Sequence, residues 1–272
     1  MLAMRLSPSN FLILFQETKS LLIMNRSISS IIAIITLFVL SCGGGQTYEY
    51  IRPPVDQMYS SLNTLDTYTI ILEDMDVPEE GVFRHKYRVV YPVNDTTIAD
   101  STTRWMAVDQ TYFFKNEGNL GMALVSKKED GTLNKIAAPA GYDNYVGNEK
   151  YGQWQTNSSG GSFWAFYGRY MFLSSLFHYT SPVGYRGYRT YDTSYRGSRP
   201  YYGGTSSNPK YGTSSSSMKN SKPSFFTRRA SSTGWKSSRS SYKSTKSFSG
   251  SGSSRYNSSG GGIRGFGGGF GK

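Results

Sequence analysis

The chain has one thiol, two imidazoles and one cluster of carboxylates with which to do chemistry, and their spacing suits catalysis poorly. Cys42 is the only cysteine among 272 residues. His85 sits between Arg84 and Lys86 in a stretch with strand character, and His178 sits near the end of an apolar stretch. Neither has a nucleophile at a recognisable spacing. Two separated histidines without a free thiol do not make a zinc ligand set. The acidic group Glu73, Asp74, Asp76, Glu79 and Glu80 offers oxygens for calcium but lacks the spacing and the glycine of an EF-hand loop. A solvated acidic loop is the simpler reading of residues 73–80. The chain therefore reads as a non-enzyme, with no cofactor and no metal.

Two further groups bear on binding. Tyr142, Tyr145, Tyr151 and Trp154 lie in a glycine-punctuated stretch and are candidates for ligand or partner contact, as a platform under a sugar ring or glycan strand. The simpler alternative is that they complete the core of a small domain, as amphipathic aromatics commonly do. From residue 181 onward Arg is interleaved with Tyr and Gly, a pattern that resembles RGG-type nucleic-acid-binding segments, where cations meet phosphates and rings stack on bases.

The elements around these residues set their meaning. From Met24 the chain runs through the basic Asn25-Arg26, an apolar run over residues 31–40 and the small Ser41 before Cys42, the layout of a secretory signal. Ten apolar residues fall short of the roughly 20 needed to span a bilayer. The closing Val39-Leu40-Ser41-Cys42 resembles the lipobox of bacterial lipoproteins. That resemblance implies acylation of the Cys42 thiol, cleavage before it, and a membrane anchor of two or three acyl chains, since one alone binds only marginally. It places the protein in the bacterial envelope, with the outer membrane favoured because no acid follows Cys42 in the glycine tether Gly43-Gly44-Gly45. The 23 residues before Met24 add nothing a signal needs, so Met24 is the expected true start. Export also redirects the basic tail from nucleic acid to anionic envelope polymers or a membrane partner.

Charge divides the mature chain. Residues 43–150 hold ten Lys/Arg against sixteen Asp/Glu, net −6, whereas residues 151–272 hold seventeen against Asp192 alone, net +16. Such asymmetry marks a basic arm on a folded body. With Cys42 acylated no disulfide can form, and the body must be stable through its own core.

That body is expected to be α+β: a small antiparallel sheet with a few helices. Val55, Met58, Tyr59 and Leu62 follow Pro53-Pro54 at helical spacing. Residues 67–72 and 82–93 read as an antiparallel strand pair, and Asp130-Gly131 as the turn of a hairpin. Residues 105–114 are ambiguous between strand and short helix. Ser162 is placed to cap a helix over residues 163–179, apolar on nearly every side. Beyond residue 180 aliphatic residues are few, and disorder is expected. The resulting layout is a signal over 1–41, the lipidated cysteine and tether over 42–50, the α+β domain over 51–180 and a disordered basic tail over 181–272. A looser similarity of residues 141–154 and 163–179 to Bacteroidota envelope lipoproteins implies the same location and no activity. The expected role is structural or one of interaction, with the tail binding anionic envelope polymers or a membrane partner. The alternative is a glycan- or peptidoglycan-binding module built on the loop from Tyr142 to Trp154.

Overall fold

The diproline before the first helix supplies a fixed φ where an N–H would have no partner, and α1 (Pro54–Ser61) starts there. The computed structural model describes residues 51–249. Val55 is buried, and Met58, Tyr59 and Leu62 pack beside it against the sheet, as their spacing predicts.

The sheet grows from the expected pair. β1 (Tyr68–Asp76) runs antiparallel to β2 (Arg84–Pro92), with Ile70 opposite Val89. Strand order is β3-β2-β1-β5-β6, with β3 (Ile98–Thr102), β5 (Met122–Lys127) and β6 (Leu133–Asn134); β4 (Met106–Ala107) pairs with β2, and β7 (Ala138–Pro139) with β5. The β5–β6 hairpin turns through Asp130-Gly131, where Gly131 has φ of +79°. The ambiguous stretch holds both alternatives: β4, then α2 (Gln110–Lys115), whose first turn is capped by an Asp109 carboxylate accepting the Tyr112 N–H at 2.9 Å. The α+β class and the antiparallel sheet stand.

β1 is central and apolar on both faces, so it needs cover twice. Ile70, Leu72, Tyr87 and Val89 face one cluster with Phe113 and Phe114; Ile71 and Val90 face another with Tyr145, Tyr151, Tyr170 and Leu173. Period-two alternation sorts them.

Three expectations are corrected here. The acidic stretch 73–80 is not a loop at its start: Glu73, Asp74 and Asp76 belong to β1, past an irregularity between Leu72 and Asp74. Their carboxylates are ion-paired, which makes strand geometry compatible with their charge. Residues 163–179 are not one helix. β8 (Gly152–Thr156) and β9 (Ser162–Phe166) form a two-stranded hairpin with Trp154 opposite Trp164, followed by a 3-10 turn (Gly168–Tyr170) and the short α3 (Phe172–Leu176). An apolar run without a 3.6 period does not specify a helix face, and Ser162 opens a strand instead of capping one.

The third correction is the largest. Residues 181–249 are not a disordered tail but carry α4 (Tyr185–Ser194), α5 (Ser216–Ser221), α6 (Pro223–Ser231) and α7 (Thr233–Ser249). Val183, Tyr191, Tyr201, Met218, Phe225 and Trp235 are buried, the last three in the same cluster as Leu72 and Phe113. Aromatic rings supply the apolar area that the scarcity of aliphatic residues conceals. The expected domain boundary at residue 180 falls inside one compact unit. The signal, Met24, Cys42 and the tether lie outside the described residues, as does the stretch after residue 249. Among the described residues no helix is long and apolar enough to cross a membrane.

Candidate functional site

Burial decides the fate of the four candidate aromatics. Tyr142, Tyr145 and Tyr151 are buried with their rings in two separate clusters, and only Trp154, on β8, is half-exposed. Tyr145 and Tyr151 meet edge to face at 4.9 Å, while Tyr142 is enclosed by Tyr188, Tyr191 and Tyr211. A platform at Tyr142, Tyr145 and Tyr151 is thereby corrected, because no ring face is left to stack on a sugar. Trp154 packs on the Tyr142 cluster, against Trp164, Tyr185 and Tyr188.

The histidines are structural. His85 is fully buried, its Nδ1 3.1 Å from the Tyr87 hydroxyl, and burial depresses its pKa to about 3, so the ring is neutral. His178 has φ of +56° because it follows the cap of α3: the Tyr179 N–H donates to the Ser174 carbonyl and the His178 N–H to that of Ser175. That is a Schellman ending, where glycine is usual. Among the described residues no group of three His, Cys, Asp or Glu side chains could hold a metal.

The carboxylates are engaged by cations from the C-terminal part. Glu73 takes Arg88 in a fork, at 2.9 and 3.1 Å, and also accepts the Lys222 ammonium. Burial pushes the Glu73 carboxyl up, but hydrogen bonds from Arg88 and Lys222 outweigh it and hold it below its ordinary value. Arg228 binds both oxygens of Asp74, at 2.7 and 2.8 Å. Glu117 accepts Arg229 at 2.6 Å together with Arg239 and the Trp235 indole N–H. Asp143 is enclosed by Tyr191, Asn134 and Arg196.

A cleft of about 700 Å³ opens in the segment after α4. Tyr195, Tyr201, Tyr202 and Tyr211 line it, together with Gly203, Gly204, Ser206 and Pro209. Tyr195 and Tyr201 pack at 4.8 Å; the Tyr202 hydroxyl donates to Asn119 Oδ1 at 2.8 Å and the Tyr201 hydroxyl to the Gly187 carbonyl at 3.0 Å. Glycine is required at 204, where φ is +64° and a Cβ would sit 2.4 Å from the Asn208 carbonyl oxygen. Burial raises the Tyr201 and Tyr202 phenols and pushes that of Tyr211 up to about 12, so these three are uncharged. Exposed Arg199, over the Tyr195 ring at 4.2 Å, and exposed Lys210 flank it in the chain; among the described residues no carboxylate pairs with either.

Rings, hydroxyls and flanking cations suit a ring-shaped, hydroxyl-rich ligand carrying negative charge. The cleft holds no nucleophile paired with a base. Sequence reasoning passed over it because residues 181–202 read as low complexity, although Tyr185, Tyr188, Tyr191 and Tyr195 recur every three or four positions, a helical signal. No protein family, curated protein or solved structure matches this chain.

Proposed function

We propose that this is a lipid-anchored protein of the bacterial envelope that binds an anionic glycan through the tyrosine cleft, with no catalytic activity. The lipobox-like Val39-Leu40-Ser41-Cys42 supports the anchor, and the unlikeness of the cleft to any acid–base or metal site supports a binding role. The observation that carries the reading is the convergence of Tyr195, Tyr201, Tyr202 and Tyr211 on one concave surface beside Arg199 and Lys210. The positive charge acts from a folded surface, since Arg196, Lys222, Arg228, Arg229 and Arg239 neutralise carboxylates inside the protein. Nucleic acid is not the partner of an exported chain.

Calorimetry with soluble peptidoglycan fragments, teichoic acid and lipopolysaccharide core tests the cleft. Binding of one of these, weakened about tenfold by Tyr202→Ala and made less salt-dependent by Arg199→Ala with Lys210→Ala, is the expected result. No binding to any anionic glycan, or binding indifferent to Tyr202→Ala, sinks the cleft reading. The anchor is tested apart from it: acyl labelling of the wild type should vanish in Cys42→Ser, and labelling that persists removes the anchor.

A further inference from the structure

Among the described residues, four of the eight large apolar side chains left in water lie on two adjoining segments. Met171 is 64% exposed, Val93 59%, Phe172 43% and Tyr167 40%. They come from two segments that the fold ties together. The Tyr170 hydroxyl donates to the Asp95 carbonyl at 3.0 Å, joining the loop after β2 to the turn before α3, and the Tyr167 N–H donates to the Tyr151 carbonyl at 3.0 Å. Lys150 pairs with Asp95 at 3.1 Å across the same junction.

The exposure is built in. Within residues 167–173, Tyr170 and Leu173 point inward and are buried beside Tyr151 and Phe177. No rotation of this turn can bury Met171 and Phe172 without exposing that pair. Arg169 is exposed on the same turn, its guanidinium 5.5 Å from the Tyr170 ring and paired with no carboxylate among the described residues.

We propose that this tip dips into the headgroup layer of the membrane to which the chain is anchored. The side chains are those of an interfacial contact: tyrosine at the polar boundary, methionine, phenylalanine and valine below it, arginine toward phosphate. Chain length points the same way. The described body begins at residue 51, so nine residues separate it from the lipid on Cys42 outward, a reach of at most about 30 Å. A body held that close must present some face to the headgroups. The proposal rests on the anchor reading and is independent of the cleft. Insertion of Met171 and Phe172 by roughly 5–10 Å matches interfacial segments generally.

The test uses the full, lipidated chain in phosphatidylglycerol vesicles, with an environment-sensitive thiol label at Met171→Cys and, as reference, at exposed Thr227→Cys on α6. Vesicle flotation reports the anchor, and quenching of the label by brominated lipid reports the tip. The expected result is flotation of both, with blue-shifted, lipid-quenched emission at 171 and water-like emission at 227. Flotation with water-like emission at both positions keeps the anchor and overturns the tip. A blue shift at 171 that brominated lipid does not quench means that protein covers the tip, another copy included, and also overturns it. A chain that does not float overturns anchor and tip together.

Discussion

The sheet region, residues 51–150, and the helical region, residues 151–249, are opposites in chemistry. The first is acidic and aliphatic at its centre, with Ile70, Ile71, Leu72, Val89 and Val90 fully or nearly fully buried. The second is basic and aromatic, with Tyr191, Tyr201, Phe225 and Trp235 as its interior. Each lacks what the other supplies. Trp235 packs on Phe113 at 4.9 Å, and Lys222, Arg228 and Arg229 reach Glu73, Asp74 and Glu117. The division of charge seen along the sequence is thus in part complementarity within one fold, and it occupies Arg196, Lys222, Arg228, Arg229 and Arg239 of the second region.

Removing residues 180–272 should break the comparison outright. The sheet would lose Met218, Phe225 and Trp235 from its core and leave Glu73, Asp74 and Glu117 without those cations, so the fragment is expected to be unfolded by circular dichroism. Limited proteolysis of the full chain should accordingly leave a resistant fragment extending past Trp235. A resistant, cooperatively melting fragment ending near Tyr179 would show the sheet region to be self-sufficient.

Trp235→Ala is the next largest perturbation. It opens a cavity against Phe113 and Phe225 and is expected to cost about 3–5 kcal/mol by urea unfolding. A loss below about 1 kcal/mol would mean that the contact between regions adds little.

Acid should act on both sides of the junction. Burial lowers the folded pKa of His85 to about 3 from its ordinary 6.5, so the unfolded chain takes its proton first as pH falls. Stability from this group is intact above about pH 6.5 and declines as pH falls from there toward 3. Glu73 is also held below its ordinary value, so its contribution is present above the unfolded carboxylate range and is lost as pH falls through its folded pKa. Urea unfolding across this range should show a shallower acid slope in His85→Phe than in the wild type, and equal slopes would refute the histidine's part. Lys222→Ala should shrink the part of the loss that belongs to Glu73.

The smallest effect sharpens the comparison at the seam. His178 holds a left-handed backbone at the end of α3, and its carbonyl accepts the Ser217 hydroxyl from α5. His178→Gly keeps that carbonyl and relieves the backbone, so thermal unfolding should show a gain of up to about 1 kcal/mol. A loss would mean that the imidazole packing outweighs the strain.

Local patterns were legible where the pattern itself carries the physics. The diproline and its apolar spacing marked α1, β-branched runs marked β1 and β2, and Asp130-Gly131 marked a hairpin. Each depends on steric preferences within a few residues. The stretch 163–179 was misread because total apolarity has no period, and strand pairing with residues 152–156 broke the tie. The aromatic candidates were half-legible: their types were informative, yet nothing local separates a tyrosine that faces a ligand from one that faces a core.

By itself the sequence determined the α+β class, the central strand pair, the lone thiol behind an apolar run and the opposition of charge between two halves. All of these follow from residue type and short-range order. Tertiary structure alone decided that the basic half folds, that its cations turn inward to Glu73, Asp74 and Glu117, and that tyrosines after α4 converge on a cleft. The reason is physical: low aliphatic content predicts disorder only while a segment must build its own core. Here residues 181–249 bury their rings against a neighbour some 100 positions earlier in the chain, as Arg228 and Asp74 do across 154 positions, and no local reading can anticipate a partner at that distance.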